Sequence, residues 1–164
     1  IRPQLTVGHK TGSIVRNVRS SSFFVVLTPA CDLVVRSTGD HKTDRILLAE
    51  IEPDEAVTKK ALDGYSKKDK KENRLKDVFG NNYTMYYHWL PRTEFFQGGF
   101  LNFRKLTAIK KNELVEAYES PEVQISPFFV KDIVARFSMY YARQGQPDIE
   151  SSSEISRLMD FVRD

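Results

Sequence analysis

The chain has a single cysteine, Cys31, among its 164 residues. That excludes an internal disulfide framework and any zinc module built on several cysteines. Only three histidines are present, which leaves few ways to assemble a metal site. No cofactor is expected. No apolar run approaches the roughly 20 residues that a membrane-spanning helix needs, so no membrane partner is expected either. No signal-peptide pattern follows Ile1, and the expected setting is reducing and cytoplasmic. What is present is ordinary for a globular protein: 40% hydrophobic, 29% charged and 12% aromatic residues. The expectation is one domain over residues 1–164, excised from a longer chain.

Positive charge is concentrated. Residues 1–58 carry seven basic and seven acidic side chains, and the part after residue 76 carries ten and twelve. Residues 59–76 carry eight basic against three acidic, so the whole excess lies there. Lys67, Lys68, Lys70 and Lys71 are its centre and the candidate contacts to nucleic acid. Tyr65 is the one aromatic residue in this stretch, too few for a stacking ladder. A solvated, mobile insertion is therefore the preferred reading.

Hydrophobic patterning divides the chain into strands first and helices last. Residues 13–18 alternate apolar and polar. Phe23 to Leu27 form a continuous apolar run ended by Thr28-Pro29, read as a strand buried on both faces. Arg45 to Ile51 form a third strand, Thr84 to Leu90 a fourth, and Phe100 to Ile109 a fifth. Asp54 caps a predicted helix to about Tyr65, and Leu114, Val115 and Tyr118 mark a short one. Ser126-Pro127 starts a helix that runs to about Gln144, with Val130, Ile133, Val134, Phe137 and Tyr141 as its apolar stripe. Ser151 and Glu154 form a capping-box pattern before a last helix. The expected fold is α+β: a small five-stranded SH3-like antiparallel barrel, closed to remove its edges. A helical and basic insertion interrupts it, and two C-terminal helices (126–164) pack on it.

The turn Thr28-Pro29-Ala30-Cys31-Asp32-Leu33 is the most distinctive motif. A buried strand ends there and delivers three polar side chains. Together with Gly12-Ser13-Ile14-Val15, this stretch resembles the SH3-like barrel of MazF/PemK-type ribonuclease toxins over residues 7–52. The resemblance implies an arginine before the second strand, Arg16 or Arg19, and a hydroxyl at the end of the third. The third strand ends Ala49-Glu50-Ile51, so the fold is carried over and the RNA cleavage is not. The same turn and the segment Tyr140-Tyr141-Ala142-Arg143-Gln144-Gly145-Gln146-Pro147-Asp148 also resemble uncharacterised bacterial domains. These lie C-terminally in longer signalling or defence proteins.

Cys31 reads either as a nucleophile with His41 or His88 as base or as a half-buried thiol behind the turn, the preferred reading. A Cys31/Asp32/His41 metal site lacks a fourth ligand. Arg136, Tyr140 and Arg143 share one helix ridge and suit a phosphate or carboxylate clamp. Trp89 with Phe95 and Phe96 reads as core or as a docking patch. The leading functional reading is a non-catalytic recognition domain of a larger bacterial protein. It would bind an anionic ligand, nucleic acid or a protein partner, including other domains of the same chain. Thr28, Cys31, Asp32, Arg136, Tyr140, Arg143 and Gln144 form the expected site, with Asp32 pairing Arg143 or, failing that, Arg136. The rival is a MazF/PemK-like ribonuclease.

Overall fold

A computed structural model describes residues 2–3, 8–34, 42–119, 123–143 and 151–161. Its strands are β1 (Arg2–Pro3), β2 (Ser13–Arg16), β3 (Phe23–Val26), β4 (Arg45–Glu52), β5 (Tyr87–Leu90), β6 (Gly99–Lys110) and β7 (Val123–Gln124). They form one antiparallel sheet in the order β1-β7-β2-β3-β4-β6-β5. The helices are α1 (Ala30–Leu33), α2 (Asp54–Ala61), α3 (Lys68–Phe79), α4 (Lys111–Ala117), α5 (Pro127–Ala142) and α6 (Ser152–Phe161).

The α+β class holds; the closed five-stranded SH3-like barrel does not. Leaving aside the two-residue β1, six strands curl into an open half-barrel whose edges stand 11 Å apart. Paired strands lie about 4.8 Å apart, so no ladder crosses that gap. The edge strand β5 satisfies its outward backbone with side chains instead. Asn81 Oδ1 accepts from the Trp89 N–H at 2.6 Å, and Arg136 Nε donates to the Tyr87 carbonyl at 3.0 Å. An edge covered this way needs no closure.

β3 is buried on both faces, as its sequence predicts. Phe24 and Val26 join Val15, Ile46, Leu48, Ile109 and Leu114 on one side. Val25 and Leu27 join Ile14, Leu101, Phe103 and Ile133 on the other, where Val130, Phe137 and Tyr140 of α5 cover the curl of the sheet. Ile133 alone of the predicted α5 stripe is fully buried, and Tyr141 is exposed. The last helix departs further: α6 has no buried residue, and Ile155, Leu158 and Met159 are about half exposed.

The strand β6 does not keep one alternation along its length. Ala49 pairs with Leu106 and Ile51 with Leu101, so four residues, Asn102–Lys105, stand opposite the single residue Glu50. This wide bulge shifts the parity of the strand: Leu101 and Phe103 face one core, while Ile109 faces the other. Gly99 opens the strand at φ +147°, where a Cβ would lie 2.6 Å from Ile51 Cγ2 and 2.7 Å from the Glu52 carbonyl oxygen. Only glycine lets β6 approach β4 there.

The basic insertion, expected to be helical and solvated, is a helical hairpin with one buried face. α2 ends at Ala61 rather than Tyr65, Lys67 precedes α3, and Lys68, Lys70 and Lys71 lie in it. Val57, Ala61 and Val78 form a third core with Tyr87 and Phe100. Val78 is 1% exposed. Its truncation to alanine is expected to lower the unfolding free energy by about 2 kcal/mol through lost burial and the cavity left behind. Lys70→Ala should stay within about 0.5 kcal/mol. Urea midpoints at constant slope read both; equal, negligible effects would mean that α3 is not docked.

Candidate functional site

The Thr28–Asp32 turn and the α5 ridge do not form one site. Thr28 is 5% exposed. Its Oγ1 accepts from the Leu47 N–H at 2.7 Å, and its carbonyl accepts from the Thr11 hydroxyl at 2.6 Å. Thr28 thus ties β3 to β4, and its burial keeps the hydroxyl from a ligand. Cys31 is exposed, not half-buried, with Sγ 3.6 Å from Asp32 Oδ1. Asp32 pairs with Lys42 at 3.1 Å in place of an arginine. The Lys42 hydrogen bond and charge hold its carboxyl below the usual range against partial desolvation. Asp32 lines a cavity of about 620 Å³ with Leu33, Ile46, Leu114, Lys10 and Lys111. No arginine of α5 lines that cavity. His41, Gln144, Pro147 and Asp148 lie outside the described residues.

Arg136 is occupied too. Its Nη2 donates to the carbonyls of Asn81 and Thr84, both at 2.6 Å, and its Nε to Tyr87. It is a brace, not a clamp. A partner-free carbonyl in such a place costs about 1–3 kcal/mol. Arg136→Ala, which strands three, is expected to destabilise by at least about 2 kcal/mol in denaturant unfolding. A loss below about 0.5 kcal/mol would contradict the brace.

Tyr140 and Arg143 remain together, and a residue missed in the sequence joins them. Arg104 lies in the β6 bulge, where its N–H donates to Asn102 Oδ1 at 2.9 Å and holds the turn of the chain. Its guanidinium stands 3.9 Å over the Tyr86 ring, and its Nε donates to the Tyr140 hydroxyl at 3.1 Å. That hydrogen bond, the main cause, raises its pKa further above the ordinary value. Thr84, Met85, Tyr86, Arg104, Tyr140 and Arg143 line a depression of about 280 Å³. No acidic side chain is among them. Arg143 also caps the C-terminal end of α5, where a cation complements the helix dipole. The neighbouring Lys105 has a different fate: it pairs with Glu50 at 3.0 Å and Glu52 at 2.6 Å. Burial pushes the Glu52 carboxyl up, but hydrogen bonds from Lys105 and Tyr87 outweigh it and leave it below the usual range.

A ladder of rings continues from this depression to α3. Tyr86 packs on Tyr87 at 4.7 Å, and Tyr87 stacks on Tyr83 at 6.2 Å. The Arg74 guanidinium lies 4.4 Å over Tyr83 and 5.8 Å from Tyr65. The alternative docking patch dissolves: Phe96 is core and Trp89 packs edge-on against Phe79 at 5.2 Å, which leaves Phe95 exposed.

His88 is 4% exposed, with no hydrogen-bond partner for Nδ1 and with Nε2 4.0 Å from Asp132. It does not meet Cys31: His88 is in β5 and lines a separate pocket with Trp89 and Asp132. Among the described residues no group of three metal-ligating side chains occurs, and no helix is long and apolar enough to cross a membrane. Comparison with family models, curated proteins and solved structures gives no match to this chain. Nothing therefore supports the MazF/PemK resemblance, whose closed barrel is replaced by an open sheet.

Burial lowers the His88 pKa to about 4, with Asp132 opposing and Arg136 reinforcing the shift. The unfolded chain, with histidine near 6.5, binds the proton more readily. The His88 contribution to stability is thus complete above pH 6.5, declines as the pH falls towards 4, and is constant below. Between pH 7 and pH 5 the wild type should lose about 2 kcal/mol that a His88→Phe variant retains. Parallel urea titrations at the two pH values measure it; identical losses would show that His88 is not buried neutral.

Proposed function

We propose that this chain is a recognition domain that binds an anionic group, phosphate or carboxylate, between Arg104 and Arg143. The observation that carries the reading is the fixed guanidinium of Arg104, stacked on Tyr86 and tied by Nε to Tyr140. With Nε engaged, its two terminal nitrogens form the outward fork that matches two oxygens of a carboxylate or phosphate. Holding it in place before binding removes part of the ordering cost that a long side chain otherwise adds. Arg143 brings a second positive charge, and among the described residues no carboxylate lines the depression to neutralise either. Among the described residues that line it there is no histidine, thiol or carboxylate to serve as nucleophile or base, which supports binding over catalysis.

Calorimetric titration with inorganic pyrophosphate tests the reading. Arg104→Ala and Arg143→Ala should each weaken binding by about tenfold, the loss of one charge-assisted contact. Arg104→Lys should fall between, because it keeps charge and loses the fork. Unchanged affinity in both alanine variants would exclude this site.

A further inference from the structure

Resting on that anion site, we propose that the arginine–tyrosine ladder from α3 to Arg143 binds single-stranded nucleic acid. Phosphates would lie along the basic groups, and bases against the tyrosine and guanidinium faces.

The spacing on α3 supplies the first half of the argument. Lys67, the residue preceding the helix, Lys70, Lys71 and Arg74 fall at i, i+3, i+4 and i+7, one ridge of a helix. Val78 continues that ridge and is buried in the third core, so the docked end aims the charged end. The three lysines are exposed. Glu72 approaches Lys68, off the ridge, at 4.0 Å and leaves the ridge lysines alone. Six positive side chains, those four with Arg104 and Arg143, thus mark the two ends of one surface.

The rings between them supply the second half. Tyr65 is exposed and Tyr83, Tyr86 and Tyr140 are half-buried, and contacts of 4.4 to 6.2 Å run from Arg74 to Tyr140 by way of the buried ring of Tyr87, which holds Tyr83 and Tyr86 in place beneath the surface. Aromatic and guanidinium planes interleaved with positive charge suit a strand whose bases are unstacked. A duplex keeps its base faces in its own stack and would use the charges alone. An acidic peptide would likewise leave the rings idle.

Fluorescence anisotropy of the full chain with a dye-labelled 12-nucleotide oligouridylate tests the proposal, beside a duplex of equal length, a labelled polyglutamate peptide and unlabelled pyrophosphate. The single strand should bind at least about tenfold tighter than duplex or peptide, since each stacked base contributes about 1–3 kcal/mol. Tyr83→Ala should weaken it about five- to a hundredfold and leave pyrophosphate binding unchanged. Lys70→Gln with Lys71→Gln should reduce the slope of log affinity against log salt by about 1.4, as two lost phosphate contacts to a single strand require. Arg19→Gln with Lys110→Gln, equal in charge but off the surface, should not. If Tyr83→Ala unfolds, the lysine pair carries the test. Equal binding of duplex and single strand, tighter binding of the peptide, or a salt slope unmoved by the lysine pair overturns the proposal. Pyrophosphate binding that needs Arg104 and Arg143 without oligonucleotide binding overturns it and leaves the anion site standing. Binding of neither removes both.

Discussion

Three backbone carbonyls converge on Arg136, and most of the architecture follows from how that one guanidinium satisfies them. Asn81 and Thr84 lie in the turn that leaves α3, and Tyr87 begins β5. The brace therefore joins the end of the insertion, the edge strand and α5 at a single point. A carbonyl buried without a donor is costly, so these segments cannot separate without loss. The same contact covers the edge of β5, which lets the sheet stop as an open half-barrel. It also commits Arg136, so that of this ridge only Tyr140 and Arg143, one and two turns further on, line the depression beside Arg104.

The second constraint is the bulge opposite Glu50. On a regular ladder, Arg104 and Lys105 would simply point to opposite faces. With four residues facing one, the chain turns on the Asn102–Arg104 hydrogen bond and re-aims both side chains. Lys105 meets Glu50 and Glu52 and is neutralised there. Arg104 meets two tyrosines and, among the described residues, no acid. Adjacent cations in the sequence thereby meet different surroundings, two carboxylates for Lys105 and two tyrosines for Arg104.

Strands and helices with strong periodicity were legible. β3 shows why: its unbroken apolar run can be satisfied only between two cores, and it has both. The C-terminal helix starting at Ser126-Pro127 was legible for a similar local reason. The barrel was not. Whether a sheet closes depends on what its edge strands meet, and here Asn81 reaches that edge from the preceding turn while Arg136 reaches it from a distant helix. The bulge was hidden because Phe100 to Ile109 reads as one strand in either register. β1, β7 and α1, of two, two and four residues, are too short to carry a period. At the site, Tyr140 and Arg143 could be read from helix spacing. Arg104 could not, since its significance lies in Tyr86 and Tyr140 beside it.

The lysine segment illustrates the limit of composition most directly. Read alone, residues 59–76 hold one aromatic residue and suggest a solvated insertion. In the fold, the ridge that begins with Lys67 ends in Val78, and hydrophobic burial at that end fixes the direction of the charge at the other. The rings that the segment lacks are then supplied by Tyr83, Tyr86 and Tyr140, from the turn before β5 and from α5. Arg74 links the two, with one face on Tyr83 and its Nε donating to the Ala61 carbonyl at 3.4 Å. A free arginine or tyrosine on a surface loses rotamer entropy whenever it binds something. Here much of that freedom is already gone, because the same contacts that dock the insertion also arrange the ladder. The contacts that stabilise the insertion are therefore the same ones that fix the rings and guanidinium groups along this surface.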